Sequence, residues 1–202
     1  MTNWLTKQTI KVMLENNTIP ESSCDVYEYG LNILIYTVLS TLFLLLIGCL
    51  WGLTLECLII IAIFYTCQTI GGGYHASTHL QCFITMSTGL SIILFGIRFH
   101  FYHIALCNYL TVFSALVLLA KPVVLHKSKE YLAPSINKYE MLSRLVTISL
   151  ASIYLIFITL YHLFSSSLIQ NIVVSFSYTL FCASISRLVG ALRSKIEGIV
   201  QE

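Results

Sequence analysis

Polar and apolar positions along this chain fall into long blocks rather than a short alternation. No Asp, Glu, Lys or Arg occurs over 29–55, 57–97, 99–120 or 145–186. A helix needs about 20 mostly apolar residues to cross the hydrocarbon of a bilayer, so these blocks hold one, two, one and two crossings. The pattern predicts six transmembrane helices near 29–50, 53–67, 80–97, 99–120, 145–164 and 168–188. The expected fold class is an all-α integral membrane protein in a single domain, 1–202. It has an interfacial segment over 1–28, a six-span core over 29–188 with a basic loop over 121–144, and a tail over 189–202.

Charge orients this arrangement. With both termini on the cytoplasmic side, every one of the 11 basic residues except Arg98 lies inside. Such an excess of inside Lys and Arg sets the orientation of a membrane protein. The segment joining the second and third spans then faces the cytoplasm. Lys7, Lys11 and Glu15 interrupt the first apolar residues, which argues against a signal peptide. Trp4, Leu5, Val12 and Met13 can instead rest on the membrane surface. Thr18-Ile19-Pro20-Glu21 has capping-box spacing with an early proline and predicts a helix start.

Composition narrows the class. Of 202 residues, 57% are hydrophobic and 10% charged, with mean hydropathy +0.84. An ordinary soluble domain is nearer a quarter charged, so a soluble enzyme, a disordered chain and a nucleic-acid binder are excluded. The net charge of +2 points to no partner. Seven cysteines form an odd set, mostly in spans or on the reducing side, and imply no disulfide framework. Cys49, Cys57, Cys107 and Cys182 read as small packing residues.

One stretch breaks the membrane pattern: Gly71-Gly72-Gly73-Tyr74-His75-Ala76-Ser77-Thr78-His79-Leu80-Gln81-Cys82. Each glycine costs a helix about 1 kcal/mol relative to alanine, so the second span is expected to end here in a loop of unusual backbone geometry. Non-helical backbone at a membrane is tolerated where protein covers it or water reaches it. Thr78 to Gln81 has the form of a capping box, which makes Thr78 the expected N-cap of the third span and places Cys82 at its fourth position. The positive end of the helix dipole there favours a thiolate. In an unbroken helix His75 and Cys82 would lie about 10.5 Å apart, so the break is what lets the imidazole fold back toward the sulfur. A cysteine with an adjacent imidazole can act as nucleophile, with the imidazole passing its proton to a leaving amine.

Other readings of these residues stand beside that one. A histidine at a membrane interface is commonly a hydrogen-bonded structural residue. His75, His79 and Cys82, at i, i+4 and i+7, can share a helical face as metal ligands, although the segment lacks the glutamate of a His-Glu-x-x-His protease. Cys67 is a reserve nucleophile in an apolar helix. Glu56, near the outer end of the second span, reads as a capping or snorkelling group. His100, His103 and His162 lie toward the outer surface. The basic loop sets topology, or docks an acidic peptide or anionic lipid. A transporter or channel whose glycine-rich break lines a pathway is the alternative function.

Gly72-Gly73-Tyr74-His75-Ala76, with Cys82 seven residues past the histidine in a small six-span protein, resembles the AgrB family of accessory gene regulator peptidases. Tyr27-Glu28-Tyr29-Gly30 before the first span and Ala120-Lys121-Pro122 at the start of the basic loop are similar to the same pattern. The resemblance implies a cysteine endopeptidase in the plasma membrane of a Gram-positive bacterium, working at the cytoplasmic face on an AgrD-like propeptide in quorum sensing. It assigns Cys82 as nucleophile, His75 as general base and acid, and Gly72 and Gly73 as loop glycines, with Thr78 supporting. It implies a homodimer, no cofactor and no metal. Lys121, Lys127 and Lys129 become contacts for the propeptide's acidic tail. Members often carry an arginine about seven residues before the histidine, where this chain has Gln68. Gln68 can donate a hydrogen bond to the substrate, the loop or an oxyanion, but it supplies no positive charge.

Overall fold

A computed structural model describes residues 2–16, 18–20, 23–74, 78–121, 123–124 and 136–196. Seven α-helices occupy them: α1 Thr2–Glu15, α2 Cys24–Trp51, α3 Thr54–Gly71, α4 His79–Arg98, α5 Ile104–Ala120, α6 Ile136–Phe164 and α7 Ser167–Ile196. Five of these, α2, α3, α4, α6 and α7, are long and apolar enough to cross a membrane. That is one fewer than the block pattern predicts. The fourth expected span, 99–120, is helical only from Ile104, and its 17 residues make α5 about 25 Å long, short of a hydrocarbon core of about 30 Å.

The chain divides into two compact units, Met1–Leu46 and Ile47–Glu202. In the first, α1 carries a Lys11 to Glu15 ion pair at 3.8 Å, and the Thr6 hydroxyl donates to Asn32 Oδ1 of α2 at 2.7 Å. The start expected at Thr18 is displaced: Pro20 closes a turn by accepting from Ser23 N–H, and α2 begins at Cys24 with Asp25 in its first turn.

The second unit is built around α7, which packs against α3, α4, α5 and α6. In the apolar window of α7, 61% of residues are buried, against 17% in α6. The core joins Ile63 and Cys67 of α3, Leu118 of α5, Tyr154 and Ile158 of α6, and Ile172, Val173, Phe176, Leu180 and Ala183 of α7. Small hydroxyl residues on α7 let neighbouring helices approach closely, which is how helices associate in lipid. Their polar atoms are satisfied locally or across the contact. Thr179 donates to the Ser175 carbonyl at 2.6 Å, and Ser177 donates to the Cys107 carbonyl of α5 at 2.8 Å. Tyr154 of α6 donates to Asn108 Oδ1 of α5 at 2.6 Å.

Backbone chemistry sets the helix ends. Gly52, at φ 67°, closes α2 in a Schellman motif: its N–H bonds to the Cys49 carbonyl at 3.0 Å, and Leu53 N–H bonds to Gly48 at 2.9 Å. His100 takes the equivalent left-handed position after α4, at φ 56°, with Phe101 N–H bonded to the Gly96 carbonyl. Phe99 and Phe101 therefore leave the helical path and pack against Phe95, Phe101 stacked and Phe99 tilted, instead of extending a span. Toward the other side α6 and α7 run further than their apolar blocks, to Ile136 at its start and Ile196 at its end respectively.

Candidate active site

The glycine segment is a clamped turn. α3 ends at Gly71, and Gly72, at φ 67°, caps it by bonding its N–H to the Gln68 carbonyl at 3.0 Å. Val124 pairs with the turn from one side, its N–H donating to the Gly71 carbonyl at 2.9 Å and forming a parallel bridge with Gly72. α7 holds the other side. Tyr74 N–H donates to the Ser186 carbonyl at 2.9 Å and to its hydroxyl at 3.2 Å. Gln68 Nε2 donates to the same hydroxyl at 2.6 Å. The amide nitrogen of Gln68 is thus engaged with the same α7 hydroxyl that accepts from Tyr74 N–H.

There is no room in this turn for side chains. A Cβ on Gly72 would run into the Val124 carbonyl, and one on Gly73 would fall 2.5 Å from Gln68 Oε1. Gly190 of α7 sits directly beneath, where a Cβ would fall 2.6 Å from the Gly73 carbonyl carbon. Arg193, in the last turn of α7, lies 5.9 Å over the Tyr74 ring, within cation–π range.

Arg187 belongs to this clamp, although its position at the end of a charge-free block reads as a topology-setting charge. It is only 2% exposed. Its Nη2 donates to the Cys67 carbonyl at 3.0 Å, and its Nη1 donates to the Lys121 carbonyl at 3.0 Å and faces Ser143 Oγ at 3.4 Å. A Cβ on Gly71 would fall on the guanidinium. One signal in the sequence could have marked it: Leu188-Val189-Gly190-Ala191-Leu192 continues apolar, so Arg187 interrupts a helix face and does not end one.

Thr78 is the N-cap of α4, accepting from Gln81 N–H at 3.2 Å through its hydroxyl. Cys82 lies four residues into the helix, with its N–H bonded to the Thr78 carbonyl at 3.1 Å, and its side chain is exposed. Cys67 is the opposite case, 5% exposed within the core. His75, Ala76 and Ser77 lie outside the described residues, as do Pro122, Lys127, Lys129 and the side chain of His79. Lys121 is exposed and caps α5 through its N–H to the Val117 carbonyl at 2.9 Å. Among the described residues no three His, Cys, Asp or Glu side chains converge as metal ligands.

At the far end of α3 the structure corrects the reading of Glu56. It does not snorkel outward; it is buried and accepts from Asn171 Nδ2 of α7 at 2.9 Å. Cys57 and Cys107 are buried packing residues, whereas Cys49 is exposed.

The family model described as AgrB, Accessory gene regulator B, matches residues 1–187. No curated protein and no solved structure matches the chain. A match over nearly the whole length, on a chain of apolar helices broken by a glycine turn ahead of an exposed cysteine, places it: the protein belongs to the AgrB family of quorum-sensing membrane proteases.

Proposed function

We propose that this protein is a membrane-embedded cysteine endopeptidase that removes the C-terminal tail of an AgrD-like propeptide and closes the remainder into a thiolactone or lactone. The observation that carries the reading is the exposed Cys82, just inside the capped start of α4 and downstream of a rigidly held glycine turn, in a chain of this family. The helix N-terminus favours the thiolate, and exposure lets a peptide carbonyl reach it. The turn 71–74 delivers the chain to His75.

In this mechanism Cys82 Sγ attacks the scissile carbonyl while His75 takes the thiol proton. The carbon–nitrogen bond breaks, His75 returns the proton to the leaving amine, and the acyl group remains on Cys82 as a thioester. An internal thiol or hydroxyl of the propeptide then attacks that thioester, closing the ring and releasing Cys82. Exchanging an amide for a thioester is uphill, so the ring accumulates only as the tail or product is removed. Water has to be kept from the acyl-enzyme, and a boundary site helps exclude it. An amphipathic leader on the propeptide would confine it to the membrane surface and raise its local concentration at the site.

The reading includes six spans, with α5 as the short one, both termini and the site at the cytoplasmic face of a Gram-positive plasma membrane, and a homodimer. Lys121, Lys127 and Lys129 contact the acidic tail. Reconstitution of the purified protein with an AgrD-like peptide tests it. Cleavage is expected without added metal or nucleotide, is abolished in Cys82→Ala and in His75→Ala, and persists in Cys67→Ala. Cleavage that survives in Cys82→Ala refutes the assignment, and a reaction stopped by a chelator points instead to a metal.

A further inference from the structure

We infer that Arg187 is a positioning residue of this protease, acting through the backbone of the turn that precedes His75; the inference rests on the cysteine-protease reading above. A cation inside a membrane protein is expensive to bury, so its partners indicate what it is there to do. Two of its hydrogen-bond partners are carbonyls toward helix C-termini: Cys67 in the last turns of α3, and Lys121 at the cap of α5. Helix C-termini carry partial negative charge, so one guanidinium counters the negative ends of both helices. Ser143 of α6 faces the same nitrogen as the Lys121 carbonyl. Four helices therefore meet on a single side chain.

The geometry continues into the site. The guanidinium fills the space where a Gly71 side chain would stand, so it forms the floor of the turn. By holding the Lys121 carbonyl it also sets the path of the chain toward Val124, whose N–H pairs with Gly71. The adjacent residue Ser186 holds Tyr74. Both edges of the turn are thus referred to one turn of α7. Lysine keeps the charge at this position but lacks the planar fork that reaches two carbonyls at once.

The test compares wild type, Arg187→Lys, Gly71→Ala and the double variant in reconstituted membranes with an AgrD-like peptide. Melting temperature serves as the folding control. Arg187→Lys is expected to lower kcat about tenfold or more with KM within about twofold, since a displacement near 1 Å of a catalytic group costs on the order of 100-fold. The pH midpoint of Cys82 alkylation should shift from its wild-type position. A purely structural role would lower the amplitude by reducing the folded fraction and leave the midpoint in place. Gly71→Ala displaces the same guanidinium, so the loss in the double variant should stay near the larger single loss and fall well short of the product.

Arg187→Lys with the turnover and alkylation midpoint of wild type overturns the inference, as does a fully multiplicative double variant. If Arg187→Lys does not fold, Gly71→Ala decides alone, because it retains the arginine: wild-type turnover there means the guanidinium does not support the turn. If instead wild type fails to cleave, or His75→Ala leaves its alkylation midpoint unchanged, the protease reading itself fails and this inference with it.

Discussion

Replacing Gly190 with alanine tests whether the turn's seat on α7 governs chemistry. The added Cβ would fall 2.6 Å from the Gly73 carbonyl carbon, 2.8 Å from its oxygen and 2.9 Å from Tyr74 nitrogen. All three are backbone atoms, so no side chain can swing aside. Ordinary contact begins near 3.4 Å, and the turn has to retreat by about 0.8 Å, the difference between that and the closest approach. The same retreat stretches the 2.9 Å bond from Tyr74 N–H to Ser186 to about 3.7 Å, beyond hydrogen-bonding distance. Overpacking of this kind costs about 1–3 kcal/mol. Alanine returns about 1 kcal/mol of helix propensity, so the net loss of stability is roughly 0–2 kcal/mol. Turnover suffers more, because misplacement near 1 Å costs about 100-fold, equivalent to about 2.7 kcal/mol. Propeptide cleavage in proteoliposomes and a thermal melt measure the two effects. Gly96→Ala in α4 is the control: a Cβ there meets nothing within 4 Å, and turnover should match wild type. Gly190→Ala with turnover within about twofold of wild type would refute the reasoning, because the turn would then not depend on its contact with α7.

Three further perturbations act elsewhere. Thr78→Ala removes the hydroxyl that accepts Gln81 N–H, at about 1 kcal/mol of helix stability, and should slow alkylation of Cys82; Thr78→Ser should restore both. Tyr154→Phe deletes the 2.6 Å bond to Asn108 and should lower stability by about 1 kcal/mol, a melting shift of roughly 2–4 °C, with cleavage kinetics of the folded protein unchanged. Reversing the charge of Lys121, Lys127 and Lys129 together should raise KM for an acidic-tailed peptide in low salt, and the difference should shrink as salt is added; an unchanged KM at low salt removes these lysines as tail contacts.

Local signals in the sequence carried further than the block pattern did. Thr78 is legible because a cap involves only neighbours in the chain, and α4 begins at His79 where the motif requires. Block edges mark where hydrocarbon ends, which is a different boundary from where hydrogen bonding ends. Lys138, Glu140 and Arg144 stop an apolar window yet continue α6, with Glu140 and Arg144 paired at 3.8 Å one turn apart. Phe99 and Phe101 extend an apolar block but leave the helix, because His100 takes a left-handed conformation that hydropathy does not register. In the site, the glycines are visible as a break, whereas the partners that clamp it come from 50 or more positions away: Val124, Ser186, Arg187 and Gly190. Spacing arguments do not reach across such a separation, so Arg187 reads as one more inside charge.

Two buried charged residues, Glu56 and Arg187, explain why the turn meets α7 at this register. Glu56 stands in the first turn of α3 and bonds Asn171 near the start of α7; Arg187, later in α7, bonds the carbonyl end of α3. At 1.5 Å per residue, Glu56 to Cys67 spans roughly 16 Å of α3 and Asn171 to Arg187 roughly 24 Å of α7, the long arginine side chain making up the difference, so two parallel helices are pinned at two separated points. Each pin also matches the helix dipole, a carboxylate at the positive end of α3 and a guanidinium at the negative end. Apolar helices packed in lipid have little else to resist sliding, since lipid tails solvate leucine as well as a neighbour does. A slip of one residue would move Ser186 and Gly190 by about 1.5 Å along the axis. That exceeds what the turn can absorb while keeping its hydrogen bonds to Ser186. Fixing α3 against α7 at the Glu56 end is therefore part of holding the glycine turn in place at the other.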